Sequence, residues 1–258
     1  MSTGNMAVKY IHEEDTHNLQ SPNIIVSYLV EKFKPGSVVD IGCGLGTFLR
    51  VFKELGTKEV IGIDGKWVDR NKLFINTEEF IEADLEAPIN LNRTFDLVLC
   101  LEVAEHLSER SADTIVDSLT RLGKTIIFSA ATHKQGGQNH INEQPFSYWK
   151  EKFESRGYII IDHFRPVFWN EEKVQWWYKQ NMFLVVHHSI DTGPFQNPKS
   201  GFSSENLLIH PELYYERLQE YDRKCIELAK LRTGDGGNIN MYIGLLLKKL
   251  TTRKKTKA

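Results

Sequence analysis

The sequence predicts a doubly wound α/β domain followed by a helical extension. Three observations carry that prediction. Short, β-branched, almost continuously apolar runs recur between residues 37 and 188 and alternate with helical patterns. Strands that are apolar throughout are buried on both faces, as in a parallel sheet covered by helices. The first of these runs ends in a glycine-rich turn, VDIGCGLG, at the place where open α/β sheets bind their ligands. After residue 190 the strand pattern stops, and loop-like text leads into a long polar helical stretch.

The elements follow in order. Residues 1–20 are polar and read as a flexible segment. Pro22 opens a helix, with Ser21 as its N-cap and Ile24, Ile25, Tyr28, Leu29 and Phe33 at helical spacing. Pro35-Gly36 stops it. SVVDI (37–41) is the first strand, and Thr47 to Leu55 is a helix ended by Gly56. EVIGID (59–64), EFIEAD (79–84) and FDLVLCL (95–101) are the next strands. A helix over 111–122 precedes the fifth strand, TIIFSAA (125–131). A helix over 149–156 precedes the sixth, YIIIDHF (158–164). MFLVVHH (182–188) is a candidate seventh. Residues 21–189 thus form the main domain. Residues 190–258 form an extension with a helix over 210–231, a GDGG break and a basic tail, KKLTTRKKTKA.

The bulk properties narrow the function classes. A chain of 258 residues suits one domain plus an extension. Its 32 basic and 34 acidic residues give a net charge of −2, so no stable nucleic-acid partner is expected. The three cysteines are odd in number, and no CxxC pair exists. This argues against a disulfide framework or a cysteine zinc site and points to a reducing, cytoplasmic setting. The first residues lack the apolar core of a secretory signal, and no apolar run is long enough to span a bilayer. The basic tail reads as solvated, with weak attraction to an anionic membrane surface as the alternative. The oligomeric state stays open.

The glycine spacing is Gly42, Gly44, Gly46. A dinucleotide fingerprint needs its third glycine at position 47, which is Thr, so the spacing argues against NAD or FAD. Asp64 ends the second strand 18 residues beyond Gly46, where a carboxylate can accept both hydroxyls of a ribose. Asp84 ends the third strand, on the side of a nucleoside base. With Asp40 in the first strand, three acidic residues stand at successive strand ends.

These motifs, D-x-G-x-G-x-G, then ID, ADL and FDLVLCLEVAEHL, resemble the class I S-adenosylmethionine-dependent methyltransferases. SVVDIGCGLGTFL, VIGIDG, LEVAEHL, FSAA, QGG, H-x-N-E-Q and WWYKQN are further similar to a bacterial subfamily often associated with surface-glycan biosynthesis. The chain departs from that subfamily at Thr132-His133-Lys134, where the pattern is Ile-Pro-Gly. The resemblance implies a seven-stranded Rossmann-like sheet with its last strand antiparallel, and S-adenosylmethionine as cofactor. Residue by residue, it implies that Asp40, Gly42, Cys43, Gly44 and Gly46 cradle the amino-acid end of the cofactor. Asp64 and Gly65 would hold the ribose, Asp84 and Leu85 the adenine, and Leu101 would line the sulfonium region.

Methyl transfer to an alcohol needs help in removing the hydroxyl proton, from a base or from a metal. The stretch Glu102-Val103-Ala104-Glu105-His106 reads as the opening of a helix. Residues i, i+3 and i+4 share one face of a helix, so Glu102, Glu105 and His106 are candidate ligands for Mg²⁺ or Mn²⁺. His140, in the loop after the fifth strand, is a candidate fourth ligand. E-x-x-E-H with a later His is also similar to the metal-dependent small-RNA 2′-O-methyltransferases. Two other readings remain: His140 as a metal-free general base working beside Glu105 and His106, and a structural role in which glutamates favour a helix N-terminus. Gln135, Asn142 and Gln144 are candidate partners for acceptor hydroxyls, and Trp149 is a candidate pocket wall. The expected activity is O-methylation of a sugar or glycan precursor. The alternatives are O- or N-methylation of another small molecule, RNA 2′-O-methylation, or cofactor binding without catalysis.

Overall fold

The computed structural model describes residues 18–195 and 208–233. It divides into two units, residues 1–210 and residues 211–258. The predicted basic tail, the 1–17 stretch and most of the loop after Phe195 lie outside the described residues.

The first unit is built on a seven-stranded sheet. Its strands are β1 (Ser37–Ile41), β2 (Glu59–Asp64), β3 (Phe80–Glu82), β4 (Leu97–Leu101), β5 (Thr125–Ser129), β6 (Tyr158–Ile161) and β7 (Phe183–His187). Their order across the sheet is β3-β2-β1-β4-β5-β7-β6. All pairs are parallel except those of β7, which runs antiparallel to both β5 and β6. This is the seven-stranded class I methyltransferase sheet. The chain winds outward from β1 through β2 to β3, then returns to place β4 on the other side of β1. That reversal makes the carboxyl ends of β1 and β4 the switch point, where such sheets bind ligands.

Alternation within strands feeds two cores. Val98 and Cys100 of β4 join Val39, Ile41 and Ile126 on one face. There they meet Ile115 and Leu119 of α3 (Ala112–Leu122) and Phe153 of α4 (Phe146–Glu154). Leu97 and Leu99 point the other way, with Val38 and Leu184. They pack on Leu29 of α1 (Gln20–Phe33), Phe52 of α2 (Thr47–Glu54) and Phe168 of α5 (Arg165–Phe168). Because both faces are covered, nearly every position of β4 has to be apolar. Truncating a fully buried leucine such as Leu99 to alanine costs about 2–5 kcal/mol in such a core.

Several local expectations are corrected. Ser21 is not the cap of α1, which begins at Gln20 with Leu19 before it. Ser21 is fully buried, and its hydroxyl donates to Gln175 Oε1 at 2.6 Å. The helix expected from Trp149 begins earlier, at Phe146, directly after Pro145. WWYKQN forms a short helix, α6 (Trp176–Asn181), leading into β7. Contacts of the first unit also reach beyond residue 189, to His210. The His210 amide donates to Gln180 Oε1 at 2.8 Å, and the His210 Nε2 lies 3.1 Å from the Trp169 carbonyl oxygen. The second unit contains α7 (Pro211–Thr233). No described helix is long and apolar enough to cross a membrane.

Candidate active site

The glycine loop leaves β1 at the switch point. Gly42, Gly44 and Gly46 all adopt positive φ, 78°, 55° and 81°, which is costly for any residue carrying a Cβ. At Gly42 the space is closed as well: a Cβ would lie 2.3 Å from Val103 Cγ2. The loop is tied to β2 by the Gly42 amide, which donates to the Ile63 carbonyl at 2.7 Å. Asp64 completes the tie. Its Oδ2 accepts from the Gly44 amide at 2.7 Å and its Oδ1 from the Gly65 amide at 2.6 Å. Cys43 is buried, and its thiol reaches the Gly44 carbonyl at 3.6 Å.

Two carboxyls are buried beneath this loop. Burial, and then the negative charge of Asp64, push the Asp40 carboxyl up to about 7. Burial raises Asp64 too, opposed by the Gly65 and Gly44 amides and by Trp67. Trp67 lies over Gly65, so closely that a Cβ there would be 2.2 Å from its ring. Trp67 was not among the expected site residues, although a tryptophan three residues beyond Asp64 is a visible signal. Asp84 is exposed just beyond β3, its Oδ1 accepting from the Glu86 amide at 3.0 Å, and Leu85 is buried. Leu101 closes β4.

The segment after β4 departs from the expected helix. Glu102 has φ +54°, in the left-handed region, and its amide is held by the Ser129 carbonyl at 3.1 Å and hydroxyl at 3.0 Å. A non-glycine residue in that region is uncommon, and such strain clusters at functional sites. Val103 has φ −123°, and Ala104–His106 then form a single 3-10 turn. E-x-x-E-H is therefore a kinked strand end plus a tight turn, not one helical face.

The loop after β5 folds over this turn. The Ile141 and Asn142 amides both donate to the Glu105 carbonyl, at 2.9 and 3.0 Å. This brings the His140 ring to 4.8 Å from the His106 ring, edge to face. Among the described residues, Glu105, His106 and His140 offer ligand atoms within 4.8 Å of one another. His140 Nδ1 lies 2.9 Å from Glu143 Oε1, a pairing that orients the imidazole. Glu102, an expected ligand of the same set, stands outside this group. Each of its carboxylate oxygens accepts from Asn181 Nδ2 at 3.2 Å.

Burial sets the protonation of the cluster. Burial pushes Glu102 up to about 7, opposed by Ser129 and Asn181. Burial and then the neighbouring Glu102 push Glu105 well up. Both Glu105 carboxylate oxygens are buried without a well-formed hydrogen bond; the Ala131 backbone and the Glu102 carboxyl are polar neighbours. Burial, then His140, hold His106 down at about 4, so its imidazole is neutral and can act as a ligand. Buried carboxyls without a compensating charge are costly. A divalent ion on Glu105, His106 and His140 would supply that charge, and one oxygen and two imidazole nitrogens suit Mn²⁺ or a similar ion with open positions.

The expected acceptor-binding amides divide. Gln135 is buried, and its Oε1 accepts from the Thr132 amide, Gln180 Nε2 and Asn181 Nδ2 at 3.0–3.1 Å. Asn142 is also buried, bonded to the Ala104 carbonyl at 3.5 Å and to Gln144 Nε2 at 2.9 Å. Both carboxamides are thus taken up by protein contacts. Gln144 and Trp149 instead line a cavity of about 320 Å³, with Phe146, Gln180, Asn181 and Phe183. Trp149 also belongs to the core, 5.3 Å from Phe128. Gln180 and Asn181 were not anticipated; they sit at the end of a stretch whose aromatic residues drew attention first. His187 and His188 lie at the opposite ends of the strands from the glycine loop, where the His187 amide donates to the Lys124 carbonyl.

A seven-stranded sheet with β7 antiparallel, a glycine loop after β1 and an acidic residue ending β2 define a class I methyltransferase. The model of the methyltransferase domain family matches residues 22–189, and the chain belongs to that family as an S-adenosylmethionine-dependent methyltransferase. Among solved structures it is similar to a sugar N-methyltransferase from Streptoalloteichus sp. ATCC 53650, at 14% identity and TM-score 0.51, over 72% of this chain and 98% of that one. It is also similar to magnesium protoporphyrin IX methyltransferase from Synechocystis PCC 6803, at 19% identity and TM-score 0.49, over 66% and 83%. A third is the methyltransferase domain of a bacterial CtHen1, at 19% identity and TM-score 0.47, over 66% and 100%. At these identities the likenesses speak to fold alone. No curated protein matches the chain.

Proposed function

We propose that this methyltransferase methylates a hydroxyl of a sugar or glycan precursor, with a divalent metal held by Glu105, His106 and His140. The observation that carries the reading is the convergence of those three side chains beside the glycine loop, with Val103 packed on Gly42 between them. The donor supplies a methyl group already activated on a sulfonium. Asp40, Gly42, Cys43, Gly44, Gly46, Asp64, Gly65, Asp84, Leu85 and Leu101 form its cradle. A divalent ion would supply Lewis-acid activation of the accepting hydroxyl. Glu143 fixes the His140 ring, and Asn181 holds Glu102 in place beside the cluster. The cavity lined by Gln144, Trp149, Gln180 and Asn181 takes the acceptor: aromatic walls suit the apolar face of a sugar ring, and amides suit its hydroxyls. The sugar acceptor rests on the motif resemblance to glycan-associated methyltransferases.

The His140–Glu143 pair supports a second, metal-free reading. A carboxylate that orients an imidazole is the arrangement of a general base. One experiment separates the two. The enzyme is stripped with EDTA and assayed on free, nucleotide-linked and lipid-linked sugars, with Mg²⁺ or Mn²⁺ returned. Activity lost on stripping and restored by the ion supports the metal. Unchanged turnover in the stripped enzyme removes it and leaves His140 as base. No detectable binding of S-adenosylmethionine by calorimetry would undo the cradle assignment.

A further inference from the structure

Helix α7 exposes an apolar stripe that none of its own residues covers. Tyr214, Leu218, Tyr221 and Leu228 are 55%, 40%, 65% and 61% exposed, and Cys225 is exposed with them. With Cys225 their spacing is 4, 3, 4, 3, the alternation of two coiled-coil heptads. Most helical stability in proteins comes from packing an amphipathic face rather than from propensity, so a stripe of this kind calls for a partner surface. The polar residues are ordered around it. Glu220, on the opposite face, pairs with Arg217 at 2.6 Å and Lys224 at 2.5 Å. Arg217 and Lys224 therefore share one flank of the stripe, seven residues apart, and Asp222 stands on the other flank.

We infer that α7 pairs in parallel with α7 of a second copy of this chain. Charge selects both partner and direction. In a parallel, in-register pair, a residue on one flank faces the residue five positions later on the partner's opposite flank. Arg217 then faces Asp222 of the other copy, twice per dimer. An antiparallel pair would bring the Arg217–Lys224 flank against its own copy, cation against cation. In the parallel register the two Cys225 side chains meet across the helix interface, at the same core layer.

The full-length protein tests this directly. Its sedimentation mass should be twice 29.8 kDa. A short bis-maleimide should link the two copies through Cys225, because Cys43 and Cys100 are buried. Cys225→Ser should lose the link and keep the dimer. Leu218→Glu combined with Tyr221→Glu, which puts charge into two core layers, should weaken dimerisation at least about tenfold while S-adenosylmethionine binding reports an intact fold. A monomer whose Cys225 alkylates rapidly overturns the inference. So does a monomer whose Cys225 is protected, which would mean that the chain covers its own stripe. A dimer that the double variant does not weaken, or that Cys225 fails to link, overturns it too.

Discussion

Gly137 lies directly against the His140 imidazole. A Cβ at 137 would stand 2.3 Å from both Cε1 and Nε2 of that ring. Gly137 therefore makes room for the ring that faces His106, and Glu143 locks it from the far side. Gly137→Ala should push the imidazole off its position without touching the glycine loop. A displacement of about 1 Å in a catalytic group can cost on the order of 10²-fold in rate. The expected outcome is a fall in kcat/KM of roughly that size with cofactor affinity unchanged by calorimetry. Equal losses in both would mean that the loop also shapes the donor site.

Glu105 separates stability from ion binding. Its carboxyl is fully buried, next to a second raised carboxyl, so in the metal-free protein it is a cost at neutral pH. Glu105→Gln keeps the shape and cannot ionise. The variant should melt at least as high as the wild type in EDTA, yet gain nothing from Mn²⁺. The wild type should rise in Tm as Mn²⁺ is added, following the mass-action dependence of a ligand that binds only the native state. A variant still stabilised by Mn²⁺ would place the ion elsewhere.

The central strands were readable because they are apolar on both faces, and the glycine loop because three positive-φ positions need glycine. Backbone direction at Glu102 was not readable, since glutamate carries no signal for a left-handed residue. The i, i+3, i+4 spacing fits a 3-10 turn entered from a kink as well as it fits a helix. Ser21 looked like a cap because capping is a local rule, while its real partner, Gln175, is 154 residues away. Gln180 and Asn181 were hidden for the same reason: Asn181 meets Glu102 across 79 positions, and no periodicity encodes that pairing.

Asn181 donates to both Glu102 oxygens and to Gln135 Oε1. Asn181→Leu keeps most of the volume and removes the donors. Leaving buried acceptors unsatisfied costs roughly 1–3 kcal/mol, visible in urea or thermal unfolding. Glu102 should also lose its fixed position, so kcat should fall more than cofactor affinity. Asn181→Asp should be worse for stability at pH 8, because it adds a third acidic group beside Glu102 and Glu105. If the leucine variant unfolds like the wild type, the network is not structural.

Asp40 gives a stability test with a definite sign. Its folded pKa, about 7, lies above the ordinary aspartate value of 3.8. Such a group contributes stability that is fully present below the unfolded pKa and lost as pH rises through the folded value. Between pH 6 and pH 8 the loss is about 1 kcal/mol. The raw pH slope is not the readout, because His106 and His163, both held low by burial, act in the opposite sense over the same range. Asp40→Asn isolates the carboxyl. Without cofactor, the variant should exceed the wild type already at pH 6, and its lead should grow from pH 6 to pH 8 by about 2–4 °C in Tm for a chain of this size. S-adenosylmethionine, whose amino-acid end carries an ammonium group, should narrow that gap by stabilising the charged Asp40. A gap that is constant from pH 6 to pH 8 would show that Asp40 does not titrate there.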